Sequence, residues 1–146
     1  MQVKDILAGK SRDIYTIHAD ATVFDAISKM SGLNVGSLLV TDGPSLIGFI
    51  SDRDYRDKVI LKGKMSKETP VKDIMSENVI CVTPEHNVHD CMAIMSNKKI
   101  RHLPVLDEKS NIVGIISIGD IVKSIIDEQN SEIRNLRDYI TSSYPG

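Results

Sequence analysis

The chain has 146 residues, of which 41% are apolar, and a formal charge of −2 from 18 basic and 20 acidic side chains. That length and apolar share suffice to build a compact core, so no stretch is forced into disorder. Both signs of charge are mixed along the chain, which excludes the polybasic footprint of a nucleic-acid or anionic-membrane binder. The opening Met-Gln-Val-Lys-Asp starts no apolar leader, and no apolar run reaches the roughly 18 residues of a membrane span. The sequence reads as cytoplasmic, or as a protein of an organellar matrix whose leader has been removed, with no nucleic acid and no membrane among its partners.

In chain order, Val3-Lys4-Asp5-Ile6-Leu7 is a short lead-in whose apolar residues pack on the domain, and Gly9-Lys10-Ser11-Arg12 is a loop. Ile14-Tyr15-Thr16-Ile17 reads as a first strand. Thr22-Val23-Phe24-Asp25 is a capping-box helix start with Val23, Ile27 and Met30 on one face and Gly32 closing the helix. Two apolar runs, from Val35 to Val40 and from Leu46 to Ile50, face each other across a polar break as a β-hairpin. Ser51 and Asp54 then stand in the Ser-x-x-Asp spacing that caps a helix, which continues from Tyr55 to Lys62 with Val59, Ile60 and Leu61 as its apolar residues. Gly63 to Pro70 reads as a linker, in which Pro70 stops any helix.

From Val71 the plan is written a second time. Val79 to Val82 is a strand, Val88, Met92 and Met95 form a helix stripe, and Leu103 to Leu106 with Ile112 to Ile116 form a second hairpin that ends in Ser117 and Asp120. Leu38, Val40, Asp42, Gly48, Ile50, Ser51 and Asp54 fall opposite Leu103, Val105, Asp107, Gly114, Ile116, Ser117 and Asp120, a repeat of ~65 residues present twice. Upstream, Val3 to Leu7 falls opposite Val71 to Met75. The boundaries that follow are 1–62 for the first repeat, 63–70 for the linker, 71–127 for the second repeat and 128–146 for a helical extension. Ile121, Val122, Ile125, Ile126, Ile133, Leu136 and Ile140 recur at helical steps, with Asn130-Ser131 as a candidate break. This stripe outlasts its own repeat, so it packs either on the first repeat or against a second chain, and the second chain is the preferred reading.

Cys81 and Cys91 fall at the core positions of Thr16 and Ala26 in the first copy, where a free thiol packs as a small apolar group. His86 and His89 share a helix face, but no Cys-x-x-Cys accompanies them and a zinc site is disfavoured. No Gly-x-Ser-x-Gly, Walker A, Gly-x-Gly-x-x-Gly or His-Glu-x-x-His motif is present, so neither catalysis nor a catalytic cofactor is expected. What occurs twice is a helix start with a hydroxyl and a carboxylate at its mouth. As caps these contribute about 1 kcal/mol each. A carboxylate can also accept both hydroxyls of a ribose, while the helix start offers N–H groups and a positive dipole end to a phosphate.

These residues resemble the tandem cystathionine-β-synthase (CBS) domain pair, of the stand-alone bacterial type that is similar to plant organellar two-CBS proteins. Each copy shows that family's order of strand, helix, apolar strand ending in Val-x-Asp, Gly-containing strand and Ser-x-x-Asp helix start, and the second carries Arg101-His102-Leu103-Pro104-Val105. The resemblance covers Val3 to about Ile126. It implies an α/β (α+β) fold of two pseudo-twofold-related βαββα repeats packed through their sheets, dimerising into a flat disc. It implies adenine slots at Ile14, Tyr15 and Val35 and at Val79, Ile80 and Ile100, with ribose and phosphate on Ser51/Asp54 and Ser117/Asp120.

By the family's symmetry, Arg101 and His102 face the nucleotide on Asp54. The reciprocal positions are Gly36 and Ser37, and Arg53, whose counterpart is Gly119, borders its own cleft, so the two sites are expected to be unequal. The implied function is a regulatory module that senses AMP, ADP, ATP or a related adenosyl ligand such as NAD or S-adenosylmethionine, forms a homodimer and signals to a target protein. The alternative is a non-catalytic dimerisation and interaction scaffold with vestigial clefts.

Overall fold

A computed structural model of the chain describes residues 1–9 and 13–143, with side chains through 140. Residues 10–12 of the expected loop lie outside the described residues. The chain divides into two compact units, one built on Asp13–Ile80 and the other on Cys81–Gly146 together with Met1–Arg12. The repeats in sequence and the units in space are therefore offset. Helix α1 (Val3–Ala8), the opening of the first repeat, packs within the unit formed by the second repeat, and Val71–Asp73, its counterpart, forms a 3-10 turn in the unit of the first. The expected linker is likewise folded into the Asp13–Ile80 unit, with a 3-10 turn at Ser66–Glu68.

Matching backbone bonds hold the two exchanged segments. In one unit Val23 donates to the Thr69 carbonyl (2.8 Å), Val71 to Ala21 (2.8 Å) and Lys72 to Ala19 (3.0 Å). In the other Val88 donates to Met1 (3.0 Å), Val3 to His86 (2.9 Å) and Lys4 to Pro84 (2.9 Å).

In the Asp13–Ile80 unit, β1 (Thr16–His18) runs parallel to β2 (Ser37–Asp42), which pairs antiparallel with β3 (Ser45–Ser51). The parallel pair is joined through α2 (Val23–Leu33), which buries Val23, Ala26 and Met30 against Leu38, Val40 and Ile50 of the sheet. Thr22 caps α2 by accepting the Asp25 N–H at 3.1 Å. The helix does not close at Gly32 as the sequence suggests. It runs through to Leu33 and ends on Asn34, whose left-handed backbone (φ 56°, ψ 47°) turns its N–H onto the Met30 and Ser31 carbonyls. After β3 come α3 (Asp52–Tyr55) and a π-helical turn at Arg56–Ile60. Of the three apolar residues assigned to this helix only Val59 is buried, because the widened turn leaves Ile60 and Leu61 exposed.

The second unit repeats this with α4 (Val88–Lys98), β4 (His102–Leu106), β5 (Ile112–Ser117) and α5 (Ile118–Ser143). The strand expected over Val79–Val82 is reduced to one parallel bridge, Val82 with Val105. The cause lies in β4: in the first unit Leu39 donates its N–H to the Tyr15 carbonyl at 3.2 Å, but the counterpart of Leu39 is Pro104, which has no N–H to give. On α4 the buried stripe is Val88, Cys91 and Met95, and Met92 is exposed, the i, i+3, i+7 choice having turned the face by one residue. Helix α5 is continuous through Asn130-Ser131, where a break was expected.

Both hairpins carry a glycine at the same register, and both need it. A Cβ on Gly48 would lie 2.5 Å from the Met75 sulfur and 3.1 Å from the Ser76 carbonyl oxygen, and one on Gly114 would lie 2.6 Å from a Leu7 methyl. Leu7 and Met75 are equivalent residues of the two exchanged segments, so each segment seats its long apolar side chain on the bare face of a strand. We expect Gly114→Ala to cost about 1–3 kcal/mol through overpacking, measured by urea unfolding. In Leu7→Ala, which removes the clashing methyls, the same glycine change should cost less than half as much.

Candidate functional site

The hairpin register determines what gathers at each helix mouth. In the first unit Thr16 is level with Leu39, and Leu39 with Phe49. Two residues further along, Ser37 pairs with Ser51. Ile14 and Tyr15, just before β1, Val35, just before β2, and Ser51, at the end of β3, thus lie at one end of the sheet. Ile14 and Tyr15 are not themselves in the strand, which starts at Thr16. All three apolar residues are half-buried, as expected of walls that keep one face accessible.

Ser51 is extended (φ −125°, ψ 167°) and closes a reciprocal cap. Its N–H donates to Asp54 Oδ2 at 3.0 Å, its hydroxyl to the same oxygen at 3.2 Å, and the Asp54 N–H returns to Ser51 Oγ at 3.2 Å. The Asp52 N–H donates to the Gly36 carbonyl at 3.0 Å, which ties the start of α3 to the segment before β2. Asp54 is only 9% exposed, and its other oxygen, Oδ1, faces the Lys58 ammonium at 3.1 Å. Lys58 also donates to the Ile74 carbonyl at 2.9 Å. Sequence reasoning missed Lys58, although Asp54 and Lys58 stand at the i, i+4 spacing that pairs charges on a helix. Any hydroxyl bound by Asp54 must share Oδ1 with this lysine.

The second mouth is built in the same way. His102 pairs with Ser117 across β4 and β5, the Ser117 N–H donates to Asp120 Oδ2 at 2.8 Å, and the Asp120 N–H donates to Ser117 Oγ at 3.1 Å. The Ile118 N–H donates to the Arg101 carbonyl at 2.9 Å, the counterpart of the Asp52 to Gly36 bond. Within its own unit Arg101 therefore borders the Ser117/Asp120 mouth. Ile100 follows the left-handed Lys99 (φ 55°) and donates to Met95 at 3.1 Å, as Val35 donates to Met30 at 3.0 Å after Asn34. Val79 and Ile80 are half-buried and lie outside any strand. The position of Lys58 is taken by Ser124, whose hydroxyl lies against the Met1 sulfur. Arg53 is exposed on α3, and a Cβ on its counterpart Gly119 would meet only Ser117 Oγ at 3.6 Å, so a side chain has room there.

A groove of about 590 Å³ also lies in the first unit, lined by Phe24, Ile27, Ser28, Ser31, Gly32, Tyr55 and Ser66. It takes in none of the residues expected from the sequence to bind a ligand. His86 Nδ1 accepts the Thr83 N–H at 3.0 Å, and among the described residues no group of three or more His, Cys, Asp or Glu is placed to hold a metal. Among them, too, no helix is long and apolar enough to cross a membrane.

Two units, each with a helix and a β-hairpin that delivers the chain into a reciprocally capped helix, define a tandem-repeat α+β protein with twin helix mouths. The CBS domain model matches residues 3–60 and 71–127, and the chain belongs to the CBS domain family. The chain is 42% identical over 130 residues to the CBS domain-containing protein CBSX3, mitochondrial, of Arabidopsis thaliana, covering 86% of this chain and 63% of that one, so it spans less than two thirds of this relative. A solved protein with CBS domains from Burkholderia ambifaria MC40-6 is 43% identical, covers 88% of this chain and 96% of its own, and superposes with a TM-score of 0.83. The CBS domain pair of protein MJ0100, solved in complex with 5′-methylthioadenosine and S-adenosyl-L-methionine, is 27% identical, covers 88% of this chain and 98% of its own, and has a TM-score of 0.76.

Burial pushes the thiols of both Cys81 and Cys91 up from the ordinary value, with Asp90 adding to the effect at Cys91. Since the thiolate is the nucleophile, both should be sluggish at neutral pH. We expect an aromatic disulfide reagent to modify half-buried Cys81 slowly and fully buried Cys91 only on unfolding. Fast modification of both in the native protein would contradict this.

Proposed function

We propose that this chain is a non-catalytic regulatory module that binds an adenosyl ligand at its helix mouths and signals the ligand's level to a target protein. The observation that carries the reading is the capped helix start bearing a carboxylate in each unit, joined in the Asp13–Ile80 unit by half-buried Ile14, Tyr15 and Val35, which the sheet register brings to the same end. Ile14, Tyr15 and Val35 beside Ser51/Asp54, and Val79, Ile80 and Ile100 with Ser117/Asp120, are the residues we assign to adenine and ribose. Flat aliphatic walls suit a purine, and backbone groups read its edge. MJ0100, a relative of the same fold, holds 5′-methylthioadenosine and S-adenosylmethionine, which supports an adenosyl ligand. AMP, ADP, ATP and NAD belong to the same chemical class.

Arg101 is the cation we assign to a phosphate, since its planar paired donors match phosphate oxygens. His102 adds charge only when protonated, and Arg53 is an exposed cation that precedes Asp54 on α3. We place the module in the cytoplasm or an organellar matrix and assign it a homodimeric state. One observation favours the scaffold reading instead: the Asp54 carboxylate is already engaged by Ser51 and Lys58.

Titration calorimetry with S-adenosylmethionine, 5′-methylthioadenosine, AMP, ATP and NAD separates the two readings. Asp54→Asn and Asp120→Asn keep most of each cap, because Asn and Asp are near-equivalent there. Each should leave the melting temperature within a few degrees of wild type while lowering affinity about tenfold, roughly 1.4 kcal/mol. Arg101→Ala should weaken AMP and spare adenosine. A sharp fall in melting temperature with affinity intact makes the motifs purely structural, and no heat from any ligand leaves the scaffold.

A further inference from the structure

From Gln129 to Ile140 every side chain of α5 is exposed, whereas earlier in the same helix Ile121 and Ser124 are buried in its own unit. A free helix of about 12 residues is marginal in water, so a continuous helix here needs cover. The apolar residues are not scattered. Val122, Ile126, Ile133, Leu136 and Ile140, with Gln129 filling the gap, follow steps of four, three, four, three and four along α5. That is the 3.5-residue period of a coiled-coil seam, with Ile126, Ile133 and Ile140 at a and Val122, Gln129 and Leu136 at d. Ile133, Leu136 and Ile140 are 48%, 60% and 54% exposed.

Two features choose the occupant. Isoleucine at all three a positions, with Leu136 at the d position between Ile133 and Ile140, is the arrangement that gives two strands in a parallel coil. The flanks then carry Glu132 at g and Arg137 at e, five residues apart. On one helix these are separated by about 140° and cannot meet across the seam. In a parallel, in-register pair each g residue faces the partner's e residue five positions on, which sets Glu132 against Arg137 of the partner subunit, twice by symmetry. An antiparallel pair faces g with g and e with e, and so does not bring these opposite charges together.

We infer that Val122 to Ile140 forms one strand of a parallel, in-register two-stranded coiled coil with a second copy of this chain. This extends past residue 127, where the CBS match ends, and it rests on the homodimer proposed above. The test uses the full chain. In a Cys81→Ser background, Gln129→Cys at a d position should oxidise to a disulfide-linked dimer, while Ser131→Cys on the outer face should not. In sedimentation equilibrium Glu132→Lys and Arg137→Glu should each raise the dissociation constant roughly three- to tenfold, and the double exchange should restore it. A dimer untouched by Ile133→Asp with Leu136→Asp overturns the seam and leaves the homodimer standing. A monomeric wild type overturns both. Equal crosslinking at 129 and 131, or no rescue by the double exchange, overturns the parallel register.

Discussion

The contact on which the rest of each unit depends is the seating of one long apolar side chain on one glycine. Leu7 on Gly114 and Met75 on Gly48 let a segment from the start of one sequence repeat lie flat on the hairpin of the other. Three residues beyond each glycine the strand ends in the serine that caps a helix, Ser51 or Ser117. The same strand that receives the exchanged segment therefore aims the helix mouth. The mouth residues in turn are tied back to the start of the hairpin through the Asp52 to Gly36 and Ile118 to Arg101 bonds. Packing on one face of the strand and capping at its end are two parts of one device, used twice.

The twin mouths share this backbone plan and differ in charge. The first presents Ser-Asp-Arg-Asp with Lys58 behind it, the second Ser-Ile-Gly-Asp with Ser124 behind and Arg101 beside it. Because the backbone plan is the same, the inequality resides in side chains alone. A carboxylate already facing an ammonium at 3.1 Å binds a further hydroxyl with one oxygen partly committed.

Much of this was legible in the sequence because it is encoded locally. The two hairpins, the Ser-x-x-Asp caps and the long α5 each follow from spacing within a dozen residues, and the double occurrence fixed their register against each other. The exchange of Val3–Leu7 and Val71–Met75 was not legible, since equivalent segments fit equivalent sites and only the three-dimensional path says which goes where. The lost strand at Val79–Val82 could have been foreseen from Pro104, whose missing N–H sits opposite the rung that Leu39 supplies in the first copy. Asn34 outcompeted Gly32 as a helix stop because its position, not its freedom, brings an N–H onto the last carbonyls. The sheet register places Ile14, Tyr15, Val35 and Ser51 at one end of the first sheet, although Ile14 and Tyr15 precede the strand to which the sequence assigned them. The engagement of Asp54 by Lys58 was not foreseen, because attention to the apolar residues of that helix passed over the i, i+4 charge pair.

The central claim is that these helix mouths, and not the groove along α2, are where the chain meets a small molecule. Backbone amide chemical shifts followed during titration with 5′-methylthioadenosine test it directly. The account predicts shifts concentrated at Tyr15, Val35 and Ser51 to Asp54, or at Ile100 and Ser117 to Asp120. Shifts centred on Phe24, Ile27 and Ser31, or none at millimolar ligand, would contradict it.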